Sequence, residues 1–156
     1  MNTRTDAPHT LGPVGDADTA KVIATVSSIP LAVDLADYDL AARAFAAEIV
    51  IDYTSLWGGE PMHTTPSWRG LVPGFDATWH QIADVEARIA GDGATATCVV
   101  DGRHYLDGNL WRPVGTYHWD LVREDGAWKV TRMVFTMTGE FGDRGLTVIA
   151  AERAKA

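Results

Sequence analysis

The chain has 156 residues, the size of one domain, and its apolar content of 46% and charged content of 22% are those of an ordinary globular protein. Its 21 acidic residues outnumber 13 basic ones, so the formal charge is -8, and no cluster of Lys or Arg could follow a phosphate backbone. These values argue against nucleic acid and against an anionic membrane surface as partners.

The beginning of the sequence is rich in Thr, Pro, Gly and Asp. We therefore expect a flexible leader at 1–15, a domain at 16–142 and a C-terminal tail at 143–156. The first residues lack the apolar segment of a secretory signal, and no apolar run approaches the roughly 18 residues of a membrane span. A cytoplasmic protein is the expectation.

Two helices are predicted before the first strand. The first runs through "DADTAKVIATVSSIPLAVD", which begins with Asp and Thr caps and carries apolar residues near helical spacing. Pro30 is expected to bend or interrupt this helix. The second follows the turn at Asp37–Asp39 through the alanine-rich "LAARAFAAE", which places Leu40, Ala44 and Phe45 on one face.

A short strand and a long loop come next. The β-branched "IVIDY", Ile49 to Tyr53, predicts the strand, and the Gly and Pro density of "SLWGGEPMHTTPSWRG" predicts the loop. In "GFDATWHQIAD" the residues Phe75, Trp79 and Ile82 fall at helical spacing and should point into the core. This pattern predicts a third helix that carries His80.

Three or four extended runs complete the domain: "DVEARIA", "ATATCVVDGRHYL", "VGTYHWDLVRE" and "WKVTRMVFTMT". Asp92-Gly93 and Asp125-Gly126 lie between runs and are strong hairpin signals. Helices followed by an antiparallel meander predict an α+β domain in which a curved sheet wraps the N-terminal helices. Such a sheet leaves a cone with an open mouth, and a small molecule is its natural ligand.

Strand alternation predicts how the sheet is covered. In "GTYHWDLV" the residues Tyr117, Trp119 and Leu121 share one face, whereas His118 and Asp120 share the other. Since both faces carry large side chains, we expect the helices to cover the inner face and another subunit to cover the outer one. The prediction is a homo-oligomer, either a homodimer or a homotrimer.

His80 and Asp34 are the first candidates for chemistry. A histidine on a buried face needs a partner for its ring nitrogens, and Asp34, directly after the apolar Val33, is costly to bury unpaired. As a pair, the carboxylate would fix the imidazole tautomer and leave the other nitrogen as a general base. The alternative is a core histidine that the carboxylate merely satisfies.

Two further residues are candidates to act with this pair. Tyr53 could donate its phenolic O–H to a carbonyl or a water, or could be a core aromatic with its hydroxyl at the rim. His104, in "DGRHYL", could be an acid opposite the first base or could pack at a sheet interface. No Cys/His spacing indicates a zinc site, and the single cysteine, Cys98, is expected to be a buried structural thiol.

The long loop carries large apolar side chains that could form a lid or pack over the cone: Trp57, Met62 and Trp68. A lid would exclude water and strengthen the hydrogen bonds inside. His63 in the same loop and His9 in the leader are expected at the surface.

The segments "VDLADYD", "VIDYTSLW", "TWHQI", "GRHYL", "YHWDL", "EDGAWKV" and "TGEF" together resemble the scytalone dehydratase family and, more broadly, the SnoaL-like proteins of the NTF2-like superfamily. The resemblance runs from about residue 32 to 141, and Asp34, Tyr53, His80 and His104 in this order are its most specific part. It implies the α+β cone without a metal or organic cofactor. It also implies an Asp34–His80 catalytic pair, His104 as a second active-site histidine and Tyr53 as a holder of water.

The implied reaction is removal of a proton beside a ketone, with loss of a β-hydroxyl as water, from a small cyclic or aromatic hydroxy-ketone. Val33 stands where the family has a second tyrosine, and the family's substrate-binding Ser and Asn fall near Val114 and Thr116. These replacements make the pocket more apolar. The expected substrate contacts are Val33, Trp57, Met62, Trp68, Phe75, Val114 and Thr116.

The same framework supports other functions. Isomerases and cyclases would use the base without elimination, and a binding protein would need no base at all. Dehydrochlorinases of this framework use a Lys and an Arg to help bind the leaving group. The corresponding positions of this sequence are Ile29 and a position near Met133, which carry no such cation. A lyase of the dehydratase type is therefore the leading hypothesis, with an isomerase, a cyclase or a small-molecule-binding protein as alternatives.

Overall fold

A computed structural model describes residues 15–64 and 68–156. His9 and all of the predicted leader except residue 15 therefore lie outside the described residues. The described chain forms α-helices, β-strands and two short 3₁₀ helices, in the order α1 (Gly15–Asp34), α2 (Tyr38–Arg43), β1 (Phe45–Asp52), α3 (Thr54–Trp57), 3₁₀ (Trp68–Gly70), 3₁₀ (Val72–Gly74), β2 (Ala77–Ala90), β3 (Gly93–Leu106), β4 (Asn109–Glu124), β5 (Ala127–Gly142) and α4 (Leu146–Arg153).

In the described part of the chain, the strands form one five-stranded sheet in the order β1-β5-β4-β3-β2. Strands β2 to β5 pair as an antiparallel meander, while β1 pairs in parallel with β5 at the opposite edge from β2. The sheet curves without closing. This architecture confirms the predicted α+β cone around N-terminal helices.

The core lies between α1 and the inner face of the sheet. Val22, Val26 and Ile29 recur on one face of α1 and are at most 1% exposed, opposite the fully buried Trp119 and Leu121 of β4. Each such side chain contributes about 1.5–3 kcal/mol by leaving water. The predicted alternation in β4 is confirmed, because His118 and Asp120 lie on the outer face and remain partly exposed.

The helices near the N-terminus differ from the prediction in their ends. Helix α1 continues through Pro30 to Asp34, so the proline does not interrupt it. Helix α2 ends at Arg43, and Phe45 to Glu48, predicted as helix, belong to β1. Phe45 pairs with Val130 of β5, and the register with β5 resumes at Val50 after an irregularity. Backbone groups at Phe45 are thus satisfied by the sheet and not by a longer helix. None of the helices in 15–64 and 68–156 is both long and apolar enough to cross a membrane.

The predicted helix around His80 is wrong. The 3₁₀ helix ends at Gly74, Phe75 is extended, and His80 lies in β2, paired in register with Gly102 of β3. Trp79, expected in the core, is 56% exposed, because neighbouring residues of a strand point to opposite faces. Pairing with β3 along most of β2 overrides the apolar spacing.

The hairpins agree largely with the sequence. Asp125 and Gly126 form the predicted turn with φ of 49° and 79°, as a two-residue hairpin with positive φ at both positions requires. The turn predicted at Asp92-Gly93 lies one residue earlier. Asp107 and Gly108, with φ of 50° and 76°, make a third hairpin that was not predicted.

The segment expected to be a C-terminal tail contains α4. Leu146 and Ala150 of this helix are at most 4% exposed and belong to the main core. Helix α4 packs so closely on the 3₁₀ helix before β2 that a Cβ on Gly74 would lie 1.8 Å from the carbonyl oxygen of Ala150. Glycine at position 74 therefore permits this contact.

Candidate active site

A cavity of about 270 Å³ opens between α1, α3, the 3₁₀ segments and the inner face of the sheet. Its size is near the lower end of the roughly 300–1,000 Å³ found for small-molecule sites. Among the described lining residues there is no Lys, Arg, Asp or Glu, and the polar rings are those of Tyr53, His80, His104 and Tyr117. The cavity therefore suits a small, largely apolar ligand.

His80 lines one wall of this cavity and is bound by Asp34, which is not itself a lining residue. The last residue of α1 is Asp34, and its Oδ1 lies 2.7 Å from Nδ1 of His80. Asp34 also accepts hydrogen bonds from the backbone N–H of His80 at 2.6 Å and from the Thr78 hydroxyl at 2.8 Å. Both side chains of the pair are 14% exposed. The carboxylate is thus held by the same strand that carries the imidazole.

This arrangement fixes the charge of Asp34 and the orientation of His80. Burial raises the pKa of the Asp34 carboxyl, but the hydrogen bonds and the charge of His80 outweigh burial and hold that pKa below its usual value. An ionised Asp34 can only accept a hydrogen bond, so Nδ1 of His80 carries the proton and donates to it. The other nitrogen, Nε2, has no hydrogen-bond partner among the described residues, and the ring lines the cavity.

His104 lies beside His80 but in a different environment. The two rings meet edge to face with centroids 5.1 Å apart, and His104 also packs 4.6 Å from Trp111 and 5.0 Å from Phe75. Burial, together with the nearby His80, lowers the pKa of His104 to about 3. Its Nδ1 is buried without a hydrogen-bond partner in the described ranges. His104 is therefore neutral at physiological pH.

Gly102 makes the approach of the two imidazoles possible. It precedes His104 by two residues on the same face of β3 and pairs with His80 across the strands. A Cβ on Gly102 would lie 3.2 Å from Cδ2 of His80 and 3.4 Å from Cε1 of His104. The missing side chain leaves room for both rings.

Two tyrosines supply hydroxyl groups to the cavity. Tyr53 joins β1 to α3, and its ring packs 5.9 Å from Phe135, while Tyr117 of β4 packs 5.5 Å from the same ring. Burial raises the pKa of both phenols, and the neighbouring Tyr53 raises that of Tyr117 further. Both hydroxyls keep their protons and can donate hydrogen bonds.

Most of the predicted substrate contacts reach the cavity. Val33, Trp57, Met62 and Trp68 line it. Phe75 does not, because its ring stacks behind His104 and Trp111. It supports the wall of the cavity without forming its surface.

Val114 and Thr116 are placed wrongly by the sequence prediction. On β4 the inward-facing residues are Trp111, Pro113 and Tyr117, so Val114 and Thr116 point to the outer face. Moving the expected contacts by one residue along the strand exchanges the two faces. Pro113 is the residue of this segment that lines the cavity.

Besides Pro113, the sequence prediction missed residues that shape the site, among them Thr78, Tyr117 and Gly102. Thr78 precedes His80 on the same face of β2, Tyr117 was assigned only to the core face, and Gly102 lies in an Asp-Gly pair that resembles a turn. Alternation along β2 would have identified Thr78 once the strand was recognised. Gly102 within a strand pattern was a signal of close approach by another group.

Cys98 is 3% exposed, and burial raises its pKa to about 11, as expected for a structural thiol. Within 15–64 and 68–156 no group of three His, Cys, Asp or Glu side chains is arranged to hold a metal ion.

The chain belongs to the SnoaL-like family, whose domain model matches residues 17–134. This match confirms the family expected from the sequence. No curated protein matches the chain.

Among solved structures, the protein Kfla4162 from Kribbella flavida has a TM-score of 0.76 at 26% identity, covering 91% of this chain and 99% of its own. A candidate scytalone dehydratase from Novosphingobium aromaticivorans has a TM-score of 0.69 at 17% identity, covering 80% and 87%. The hexachlorocyclohexane dehydrochlorinase LinA-type3 from Novosphingobium barchaimii has a TM-score of 0.68 at 16% identity, covering 83% and 92%. The latter two likenesses show the fold alone.

Proposed function

We propose that this SnoaL-like protein is a cofactor-independent lyase that eliminates water from a small cyclic or aromatic hydroxy-ketone. One observation carries the proposal: Asp34 holds Nδ1 of His80 at 2.7 Å, while the same imidazole lines an apolar cavity with Nε2 unpartnered among the described residues. This is the geometry of an oriented general base.

In the proposed reaction, Nε2 of His80 removes a proton from the carbon beside the ketone. The electrons of that C–H bond form the enolate, whose oxygen accepts hydrogen bonds from neutral donors such as Tyr53 and His104. The enolate then reforms the ketone and a C=C bond as the C–O bond to the β-hydroxyl breaks. The proton on Nε2 passes to the departing hydroxyl, which leaves as water. Asp34 stabilises the intermediate imidazolium.

His104 is assigned to hydrogen bonding. With a pKa of about 3, the imidazole of His104 is not protonated to an imidazolium at neutral pH. It is therefore a poor general acid for the leaving hydroxyl. A neutral imidazole can still donate one N–H to a developing enolate oxygen. We therefore assign the proton donor of the second half of the reaction to His80, and not to His104, for which an acid role was considered.

Elimination is also the reaction in the names of two of the similar structures, a candidate scytalone dehydratase and a hexachlorocyclohexane dehydrochlorinase. Ile29 and Met133 line the cavity at the positions expected for the leaving-group cations of a dehydrochlorinase. Their apolar side chains give no stabilisation to a departing chloride, which favours loss of a hydroxyl that is protonated as it leaves.

The open space beside the imidazole argues for catalysis over binding alone. If Asp34 and His80 only satisfied each other's hydrogen bonds, we would expect packed side chains around His80. Instead His80, His104 and Tyr53 all border the same cavity. Such convergence of polar groups in an apolar pocket is typical of an active site.

The decisive experiment is a screen of cyclic and aromatic hydroxy-ketones followed by mass spectrometry. The wild-type chain is expected to release one water from its substrate. His80→Ala and Asp34→Asn should each lower kcat by about two to four orders of magnitude, because each removes the oriented base.

Matched controls come from the outer face of the sheet. His118 and Asp120 form a second His–Asp pair at 3.0 Å, outside the cavity. His118→Ala and Asp120→Asn are expected to retain wild-type kcat. Full activity of either cavity variant would refute the assignment of the base.

An isomerase or cyclase is the second candidate. Val33 lines the cavity and has no hydroxyl with which to hold a departing water. Moving a proton within one substrate needs only one base and neutral hydrogen-bond donors. The same screen separates the two reactions. Isomerisation leaves the substrate mass unchanged and incorporates solvent deuterium in heavy water.

We also propose that copies of the chain associate through the outer face of the sheet. Trp79 and Phe141 are 56% and 54% exposed there. Arg103 lies over the ring of Trp79 and Arg112 over that of Phe141. Both arginines bind Asp101, so this surface combines two apolar rings with two cations that share one carboxylate. Such a surface suits a second copy better than it suits water.

A further inference from the structure

A polar cluster at the mouth of the cavity takes no part in the proposed chemistry. Nε and Nη2 of Arg144 donate to Oε1 and Oε2 of Glu140 at 2.8 and 2.9 Å, and Nη1 donates to the carbonyl oxygen of Leu56 at 2.7 Å. A bidentate pair of this kind fixes the plane of the guanidinium. Arg144 and Glu140 together are called the mouth clamp below.

The clamp supports Trp57. This indole lines the cavity although it is 47% exposed, and it packs 5.6 Å from Trp111 on the inside. The guanidinium carbon of Arg144 lies 5.6 Å from the centroid of the Trp57 ring. Gly58 and Gly59, which follow with positive φ, bring no side chain to support the indole. Arg144 is therefore a main contact that fixes its position.

The other end of the clamp reaches the interior. Oε1 of Glu140 accepts a hydrogen bond from Nε1 of Trp111 at 2.7 Å. Trp111 is 2% exposed, and its ring lies 4.6 Å from that of His104. The clamp thus connects the mouth of the cavity with the wall that carries an imidazole of the candidate site.

Local geometry explains why the cation binds at Leu56. Helix α3 has four residues, so its last carbonyl groups lack partners within the helix. Arg144 satisfies that of Leu56 and places its charge near the negative end of the helix. Both clamp residues lie beyond 17–134, the part of the chain that matches the SnoaL-like family.

We propose that Arg144 is a positioning residue that holds Trp57 across the mouth and thereby determines how tightly an aromatic ligand is enclosed. The inference rests on the proposed binding of a small ring compound in the cavity. Trp57 is half-exposed, so a cation over its ring has a modest effect. We expect loss of the clamp to weaken ligand binding about five- to tenfold.

The test compares Arg144→Met with Arg153→Met. Arg153 is a matched control, since its side chain is 41% exposed against 42% for Arg144 and also forms ion pairs, with Asp76 and Asp107, away from the cavity. Glu140→Gln serves as a second variant, because it keeps the side-chain shape while removing the bidentate carboxylate. Circular dichroism confirms the fold of each protein.

Two measurements are made on each protein. Fluorine NMR of chains labelled with 5-fluorotryptophan reports on Trp57, whose resonance is assigned with Trp57→Phe. Fluorescence titration with N-phenyl-1-naphthylamine, a neutral aromatic probe, gives the Kd. In Arg144→Met and Glu140→Gln the Trp57 resonance should shift and the Kd should rise, whereas Arg153→Met should match the wild type.

An unchanged Trp57 resonance in both clamp variants would overturn the inference. So would equal probe affinity in all four proteins, or no probe binding by the wild type. The proposed chemistry is separable, because His80→Ala tests turnover and leaves the clamp intact. If the clamp variants respond as expected while His80→Ala retains full turnover, the clamp is supported and the lyase mechanism is refuted.

Discussion

At the scale of single residues, the candidate site depends on groups whose neighbours hold them in one orientation and one protonation state. Asp34 ends a helix, His80 and Thr78 lie on a strand, and the hydrogen bonds among them join these elements. Much of this was readable from the sequence, because an aspartate after an apolar run and a histidine among aromatics each needed a partner. The contribution of Gly102 was not readable, since it depends on which residue it faces across the sheet.

Gly102→Ala should reduce turnover without unfolding the protein. The new Cβ would come within 3.2 Å of Cδ2 of His80, so this ring must shift by a few tenths of an ångström, whereas the 3.4 Å contact with His104 is an ordinary one. Misplaced catalytic groups lose rate steeply, and we expect kcat/KM to fall roughly ten- to a hundredfold.

Gly93→Ala is the control for this change. Gly93 also lies in β3, but its added Cβ would make only ordinary contacts, the nearest at 3.6 Å from a carbonyl oxygen. Equal kcat/KM for the two variants would show that the space at Gly102 has no role in positioning the imidazoles.

His104 predicts a pH dependence of stability. Its pKa is lowered from 6.5 to about 3, so the unfolded chain binds a proton between these values that the folded chain does not. The free energy of unfolding should therefore decrease as the pH falls from about 6.5 towards 3, by up to roughly 1.4 kcal/mol per pH unit. The lowered pKa of Asp34 adds a loss only at more acidic pH, below its usual value of 3.8.

Urea unfolding at about pH 7 and about pH 5 measures this effect. His104→Phe keeps a ring beside Phe75 and Trp111 but has no proton to bind. Its free energy of unfolding should change less between the two pH values than that of the wild type. The same change in both proteins would assign the acid sensitivity to another group.

At the scale of elements, helices and strands were predicted well where the pattern of one segment decides its structure. Helix α1 and strands β3 to β5 are of this kind, since helical or alternating apolar residues define the buried face within each segment. The segments around Phe45 and Phe75 were predicted as helix because their apolar spacing fits either structure. Their strand partners lie outside the segments themselves and decide the outcome: β5 comes far later in the chain than Phe45, and β3 is the next strand after β2.

This error explains which site residues were found. The Asp34–His80 pair depends on the need of a buried acid and a buried imidazole for each other, so it survived the wrong assignment of β2. The contacts near Val114 and Thr116 depended on strand phase, and an error of one residue placed them on the wrong face. A site prediction based on two buried polar groups that need each other is thus less sensitive to a wrong secondary-structure assignment than one based on position along a strand.

At the scale of the whole molecule, one face of the sheet lines the cavity, and the other face is the one through which we propose that copies associate. The inner face buries most of the large apolar side chains, whereas Trp79, Tyr105 and Phe141 are exposed on the outer face. In register, Trp79 pairs with Arg103 and Arg112 with Phe141, so these groups form one row across the sheet.

The double variant Trp79→Ser with Phe141→Ser should shift the protein from oligomer to monomer. Light scattering during size-exclusion chromatography measures the molar mass directly. Leu31→Ser with Val148→Ser, at residues that are 60% and 68% exposed outside the sheet, should leave the mass unchanged. A wild-type chain that elutes as a monomer at high concentration would refute association through this face.

The parallel pairing of β1 with β5 has a consequence for how the chain matures during synthesis. Ile51 lies opposite Met133, so β1 leaves the ribosome long before the strand that covers its edge has been translated. Until then Ile49 and Ile51, both buried in the finished protein, lack their permanent surroundings. A contact of such large sequence separation closes late and slows folding, so the nascent chain passes through a stage in which this strand is available to chaperones.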